Sequence, residues 1–132
     1  MDLGPAGAAE AIASLSRAVL LEVFDERDPD RRAEAIKRIF AEDVRFVDHN
    51  GTHDGRTEIG AAVDRLHSRF SDFRFAPAGE PQVLESAARL NWKFGPPGQP
   101  AKITGTDTIM VRDGRVSVLL VFLDHAPAGG SN

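Results

Sequence analysis

The stretch ITGTDTIMVRDGRVSVLLVFL, Ile103–Leu123, decides the fold. Its two arms, Ile103 to Val111 and Val116 to Leu123, are filled with Val, Ile, Thr and Phe, residues that pack well on a pleated surface. Asp113-Gly114 lies between them, and both residues of such a pair tolerate the positive φ that a two-residue hairpin turn demands. The stretch therefore predicts an antiparallel hairpin. Its register stays open. A two-residue turn sets Asp107 opposite Leu120, and a three-residue turn with a bulge sets it opposite Leu119, so in either case the carboxyl faces leucine. The second arm is apolar on both alternating faces, and neither can be left in water. One face packs under the rest of the chain. The other needs a cover, and a homodimer through the outer sheet face is expected, with Trp92 and Met110 as anchors.

Working back from the hairpin, Phe73 to Ala76 and Val83 to Phe94 also predict strands. Eight of the 20 Gly and Pro residues fall between positions 76 and 100, so turns dominate there. Further toward the N-terminus the apolar spacing becomes helical: Ile12, Leu15, Val19 and Val23; then Ala33, Ile36 and Phe40; then Ile59, Val63, Leu66 and Phe70. Asp28-Pro29 supplies an N-cap and a first-turn proline for the second helix, and Asp54-Gly55 turns the chain ahead of the third. Val44 to Asp48 is too short for a helix and reads as a strand, followed by a loop from His49 to Gly55. Helices first and a sheet after make an α+β domain. One domain, residues 1–132, fills the length, with a core of about residues 10 to 124 and loose ends at Met1–Gly7 and Ala126–Asn132.

The net charge of −4 comes from 16 basic and 20 acidic residues, and the basic ones are not clustered. Nucleic acid and anionic membranes are thus not expected as partners. With no cysteine, thiolate nucleophiles, disulfides and iron–sulfur clusters are excluded, and with no tyrosine so is any mechanism that needs a phenol. No basic segment leads into an apolar run at the N-terminus and no window reaches the ~20 apolar residues of a membrane span, so a cytoplasmic protein is expected. No Gly-rich phosphate loop, Gly-x-Ser-x-Gly elbow or His-Glu-x-x-His segment is present.

Two segments carry a family resemblance. The first is Phe40-Ala41-Glu42-Asp43-Val44-Arg45-Phe46-Val47-Asp48 followed by Gly55-Arg56-Thr57-Glu58-Ile59, and the second is Gly105 to Val116. With the order of elements, they resemble the NTF2-like superfamily, in particular its SnoaL-like and ketosteroid-isomerase-like members. The resemblance implies a cystatin-like cone, with three N-terminal helices packed on a strongly curved, mainly antiparallel sheet that encloses an apolar pocket. It also implies roles. In ketosteroid isomerases the aspartate ending the first strand is the general base, and it matches Asp48; a protonated aspartate that donates to the developing enolate matches Asp107. The tyrosine that completes that oxyanion site has no counterpart, and Leu20 and Leu21 stand around its position. A second relative, limonene epoxide hydrolase, uses an Arg-x-Asp pair and a last-strand Asp. Here Arg89-Leu90-Asn91 keeps the Arg but replaces the Asp, and the last-strand position falls near Val121, which argues against epoxide hydrolysis and against the polyketide-cyclase acid at that place.

The residues also have readings of their own. Asp48, at a strand end, is either a pocket base or the cap of the following turn. Asp107, mid-strand among apolar neighbours, must be protonated, paired or wet, and Arg89 on the adjacent strand is its expected partner. Alternation puts Arg89, Asn91 and Lys93 on one face, and Arg89 and Asn91 are candidate ligand contacts. His49 is a candidate at the pocket mouth, and Phe24, Leu119 and Val121 are candidates for its apolar wall. Asp-His-Asn-Gly-Thr-His-Asp, residues 48–54, holds metal-capable side chains, but Asn50-Gly51 makes it a turn and no metal or cofactor is expected. His67 reads as a surface residue. The expected function is small-molecule binding, with isomerase-type chemistry by an Asp base on an apolar carbonyl compound such as a steroid, terpenoid or polyketide. The alternative is a dimeric ligand-binding or interaction module without chemistry.

Overall fold

Helix α1, Gly4–Ala18, runs into a π-helical segment, Val19–Phe24, in the computed structural model, which describes residues 4–125. The wider winding shows in the Asp25 N–H, which donates to Leu20 O five residues back at 2.9 Å. Val19, Leu20, Val23 and Phe24 all become buried, a broader stripe than the 3.6-residue spacing predicts. Residues 4–7 wind into α1 where a loose end is expected, while 1–3 and 126–132 lie outside the described residues. Helix α2, Pro29–Ile39, starts as predicted: the Asp28 carboxylate accepts from the Asp30 N–H at 3.0 Å, with Pro29 in the first turn. It ends one residue before Phe40, whose extended backbone opens strand β1, Phe40–Asp48.

Residues 51–54, expected as loop, form a short edge strand β2, Gly51–Asp54, whose partner is β1 itself. Gly55, at φ 97°, then turns the chain into helix α3, Arg56–Arg69. Strands β3, Arg74–Pro77, β4, Gln82–Leu84, and β5, Ala87–Gly95, follow, and then β6, Ile103–Arg112, and β7, Arg115–Leu123. The run Val83 to Phe94, expected as one strand, is broken by a tight reversal at Glu85-Ser86, where Glu85 takes φ 56° and Leu84 pairs with Ala87. Sequence order gave no warning because neither turn residue is Gly or Asn.

The seven strands make one mixed sheet in the order β2-β1-β7-β6-β5-β3, with β4 sharing the β5 edge. Among the described residues only β1 and β7 pair in parallel. The Asp113-Gly114 turn has φ of 53° and 78°, as a two-residue hairpin turn requires, and pairs Arg112 with Arg115. Neither expected register survives beyond it. A bulge between Val111 and Met110 pairings shifts β7 by one residue, so Asp107 faces Val121 and Leu119 faces Ile109.

The helices cover one face of this sheet. Val19, Phe24, Ile36, Ile39, Phe46, Ile59, Ile109 and Leu119 belong to the larger apolar cluster, and Leu20, Leu90, Trp92 and Phe94 form a smaller one. Leu66, Phe75 and Val121 pack against both. Trp92 is therefore an inner residue, 4% exposed, and not the outer-face anchor expected of it. No helix among the described residues is long and apolar enough to cross a membrane.

Candidate functional site

Three strands bring the two aspartates into one row on the helix-covered face. Parallel pairing of Val47 with Leu120 carries Asp48 level with Val121, and Val121 pairs in turn with Asp107. Two strand spacings separate the aspartate backbones, about 10 Å. Leu90 continues the row on β5.

Asp107 is 4% exposed, and its partner is the indole of Trp92, not Arg89: Trp92 Nε1–H donates to Asp107 Oδ1 at 2.9 Å. Arg89 is on the other side of β5, exposed, donating from Nε to Gln82 Oε1 at 2.6 Å. Burial pushes the Asp107 carboxyl up to about 7, against the opposing pull of the Trp92 bond. The indole reaches Asp107 by lying across Gly105, its own cross-strand neighbour. A Cβ at residue 105 would stand 2.5 Å from Trp92 Cζ2 and overlap the Phe122 carbonyl oxygen. Gly105→Ala is therefore expected to lower stability by about 1–3 kcal/mol in chemical denaturation. It should also change the emission of Trp92, the sole tryptophan; wild-type stability and emission would show that the indole does not need this gap.

Asp48 caps the turn that follows it, one of the two roles its position suggests. Its Oδ1 accepts the Asn50 N–H at 2.8 Å, capping the turn, and also meets His53 Nε2 at 3.1 Å. The His53 ring lies 5.3 Å from that of Phe46, centroid to centroid, and its Nδ1 is 3.9 Å from Glu58 Oε1 on α3. His49, by contrast, is exposed in the turn. Asn91 is on the exposed face beside Arg89, its Oδ1 accepting from Thr106 Oγ1 at 2.8 Å. Phe24 meets Phe46 and Phe75 edge-on at 6.1 and 6.3 Å, Leu119 is sealed in the core, and Val121 is half-buried between the aspartates. So Asp48, Asp107 and Val121 share the inner face, Phe24 packs in the core above it, and Arg89, Asn91 and His49 do not reach it.

Three side chains of this region escape the sequence reading. His53 is opposite Phe46 only because residues 51–54 pair as a strand, and Trp92 reaches Asp107 only diagonally across a glycine. The third, Ser16, is buried, and its Oγ is the one sealed side-chain polar atom without a partner among the described residues. It lies one helical turn before Leu20, which packs with Leu90 and Trp92.

A second polar cluster is structural. Asp25, ending the π-helical segment, takes two nitrogens of Arg74 at 3.0 and 2.7 Å and the Phe75 N–H at 2.8 Å. His67 is half-buried and not a surface residue: its Nε2 donates to Phe24 O at 2.7 Å, and desolvation holds its pKa below the usual imidazole value. The His67 bond satisfies a carbonyl that the helix end leaves open, and the Asp25 bonds tie that end to β3.

Among the described residues no group of three His, Cys, Asp or Glu side chains is disposed to hold a metal ion. Two surface depressions, about 660 and 370 Å³, are lined by Ala41, Asp43, Arg56, Arg112 and Arg115 and by Glu22, Glu26, Arg31, Glu34 and Arg38; neither is lined by Asp48 or Asp107. Within the row Asp48 and Val121 are half-buried, while Asp107 and Leu90 are buried.

The sequence model of the SnoaL-like domain family matches residues 18–119, most of the chain, including both Asp48 and Asp107. Among solved structures, a provisionally assigned isomerase of the SnoaL-like family from Agrobacterium tumefaciens is 27% identical, with a TM-score of 0.76 over 89% of this chain and 98% of that one. A provisionally assigned SnoaL-like polyketide cyclase from Jannaschia is 14% identical at a TM-score of 0.75, covering 94% of this chain and 91% of its own. A Xanthomonas campestris protein of unknown function with a cystatin-like fold is 15% identical at 0.69, covering 86% and 91%. The last two establish the fold alone. No curated protein matches the chain.

Proposed function

We propose that this chain, which belongs to the SnoaL-like domain family, moves a proton on an apolar carbonyl compound in an isomerase-type reaction. The observation that carries the reading is the pair of carboxyls in one row: Asp48, half-buried beside the turn, and Asp107, 4% exposed and pushed up to about 7 by burial. Two like groups placed in unlike surroundings can divide the work of base and acid. Asp48 takes the proton from the carbon next to the carbonyl, and the C–H electron pair moves through that carbon onto the oxygen. Protonated Asp107 donates a hydrogen bond to the oxygen as its charge develops. Return of the proton from Asp48 to another carbon of the same system completes the isomerisation. Each carboxyl already has one oxygen held, by Trp92 in one case and by Asn50 and His53 in the other, and the second oxygen has no protein partner among the described residues. Val121, half-buried between the two carboxyls, is the apolar side chain that a substrate reaching both of them meets. The likeness to the Agrobacterium protein provisionally assigned as an isomerase, over 89% of this chain and 98% of that one, supports this assignment.

The test is deuterium exchange. The wild-type protein, incubated in D₂O with a β,γ-unsaturated cyclic ketone, should place deuterium at the α-carbon and accumulate the conjugated isomer faster than buffer alone. Exchange at the buffer rate would refute the reading. One observation favours a second reading, a dimeric ligand-binding or interaction module without chemistry: the rings of Phe24, Phe46, Phe75, Phe94 and Trp92 fill the space under the helices. The outer sheet face fits the dimer in either reading, because Phe122 and Met110, 55% and 44% exposed, stand there beside half-buried Val118 and Leu120. Light scattering at micromolar concentration should give twice the chain mass, and a monodisperse monomer would remove the dimer.

A further inference from the structure

We infer that His53 is a positioning residue for Asp48, fixing the plane of its carboxylate; the inference rests on the reading of Asp48 as the base. A carboxylate held by one hydrogen bond can swing about it, so the Asn50 N–H alone leaves the second oxygen free to wander. A second bond to the same oxygen, from His53 Nε2 on the neighbouring strand, comes from a different element and removes that freedom. The imidazole is itself held on three sides. Its strand position is fixed by the pairing of His53 with Phe46, its ring packs on the Phe46 ring, and Glu58 on α3 is 3.9 Å from the far nitrogen. Only 19% of the His53 side chain is exposed, so solvent does not set its orientation. The geometry requires the proton on Nε2, since Asp48 Oδ1 can only accept.

An approach off the line of the carbonyl system's C–H bond costs rate without costing binding. His53→Ala should therefore lower kcat for deuterium exchange of the β,γ-unsaturated cyclic ketone by about 10- to 100-fold, the range expected for one hydrogen bond to a charged group, with KM little changed. His53→Gln, which can present an amide N–H to the same oxygen, should recover most of the lost rate. The inference is overturned if the Ala variant turns over like wild type, or if Gln falls as far as Ala, which would mean that the ring relays a proton and does not merely hold the carboxylate. Asp48→Asn run beside them separates the two failures: turnover at the wild-type level there refutes the base reading itself, whereas a dead Asp48→Asn with a fully active His53→Ala refutes only the role of His53. A measurement on the unaltered protein does not depend on how the variants fold. The ¹⁵N shifts of the neutral His53 ring should report the proton on Nε2, and a ring protonated on Nδ1 alone overturns the inference.

Discussion

Asp48→Asn is expected to lower the rate of deuterium exchange by about 10²- to 10⁴-fold, the range that positioned general bases contribute. The substitution is close to isosteric, and the Asn side chain keeps an oxygen that can accept from both the Asn50 N–H and His53 Nε2, so the turn at the end of β1 retains its cap. What disappears is the basic oxygen. On the proposed reading the ketone is held by Val121 and the donor at Asp107, neither of which the change touches, so KM should move by less than about threefold while kcat collapses. A fall in melting temperature of more than a few degrees would instead mean that the carboxylate holds the strand end together. An unchanged kcat would remove Asp48 from the chemistry and leave the second reading, a module without catalysis, in possession of the fold.

What the sequence reveals of this site, and what it hides, divides along the distance between interacting residues. Local signals hold: Asp28-Pro29 starts α2, Gly55 turns the chain into α3, and Asp113-Gly114 closes the last hairpin, because each depends on backbone preferences within a few residues. The apolar setting of Asp107 is also legible, since its strand neighbours are apolar in any register. Its partner is not. Leu90 pairs with Asp107, which by alternation sends Arg89 to the opposite face and brings Trp92 onto the same one, but that pairing joins segments with no local marker of register. The bulge near Ser117, which swaps Leu120 for Val121 opposite Asp107, is likewise set by how β7 fits between β1 and β6 and not by its own residues. β2 is the clearest case. Gly51-Thr52-His53-Asp54 has the composition of a loop and becomes a strand because β1 offers an edge to pair with, and so a histidine that looks like a solvated neighbour of Asp48 comes to bond it.

The second large effect is on stability, and it has a pH signature. A rise in the Asp107 pKa from 3.8 to about 7 corresponds to about 4 kcal/mol of penalty on the folded state once the group must ionise. Below about pH 4 the carboxyl is protonated in both the folded and the unfolded chain and contributes nothing. Between about pH 4 and 7 the unfolded chain releases the proton while the folded one keeps it, so the contribution of this residue to stability falls as pH rises, and above about 7 the full penalty is present. Asp107→Asn removes the titration while keeping an oxygen for Trp92 Nε1–H. Its stability relative to wild type, from urea unfolding at a series of pH values, should climb from near its acid value at pH 4 to a plateau above pH 7, a gain of up to about 4 kcal/mol across that window. Any constant offset from the altered packing of the amide drops out of that comparison. Because Trp92 is the sole tryptophan, its fluorescence in the folded wild type should titrate with a midpoint near 7 and stay flat in the variant. A stability difference that does not change with pH, together with flat emission in both proteins, would mean that Asp107 is ionised at neutrality. In that state it has no proton to donate to a substrate oxygen, and the division of labour between the two carboxyls fails with it.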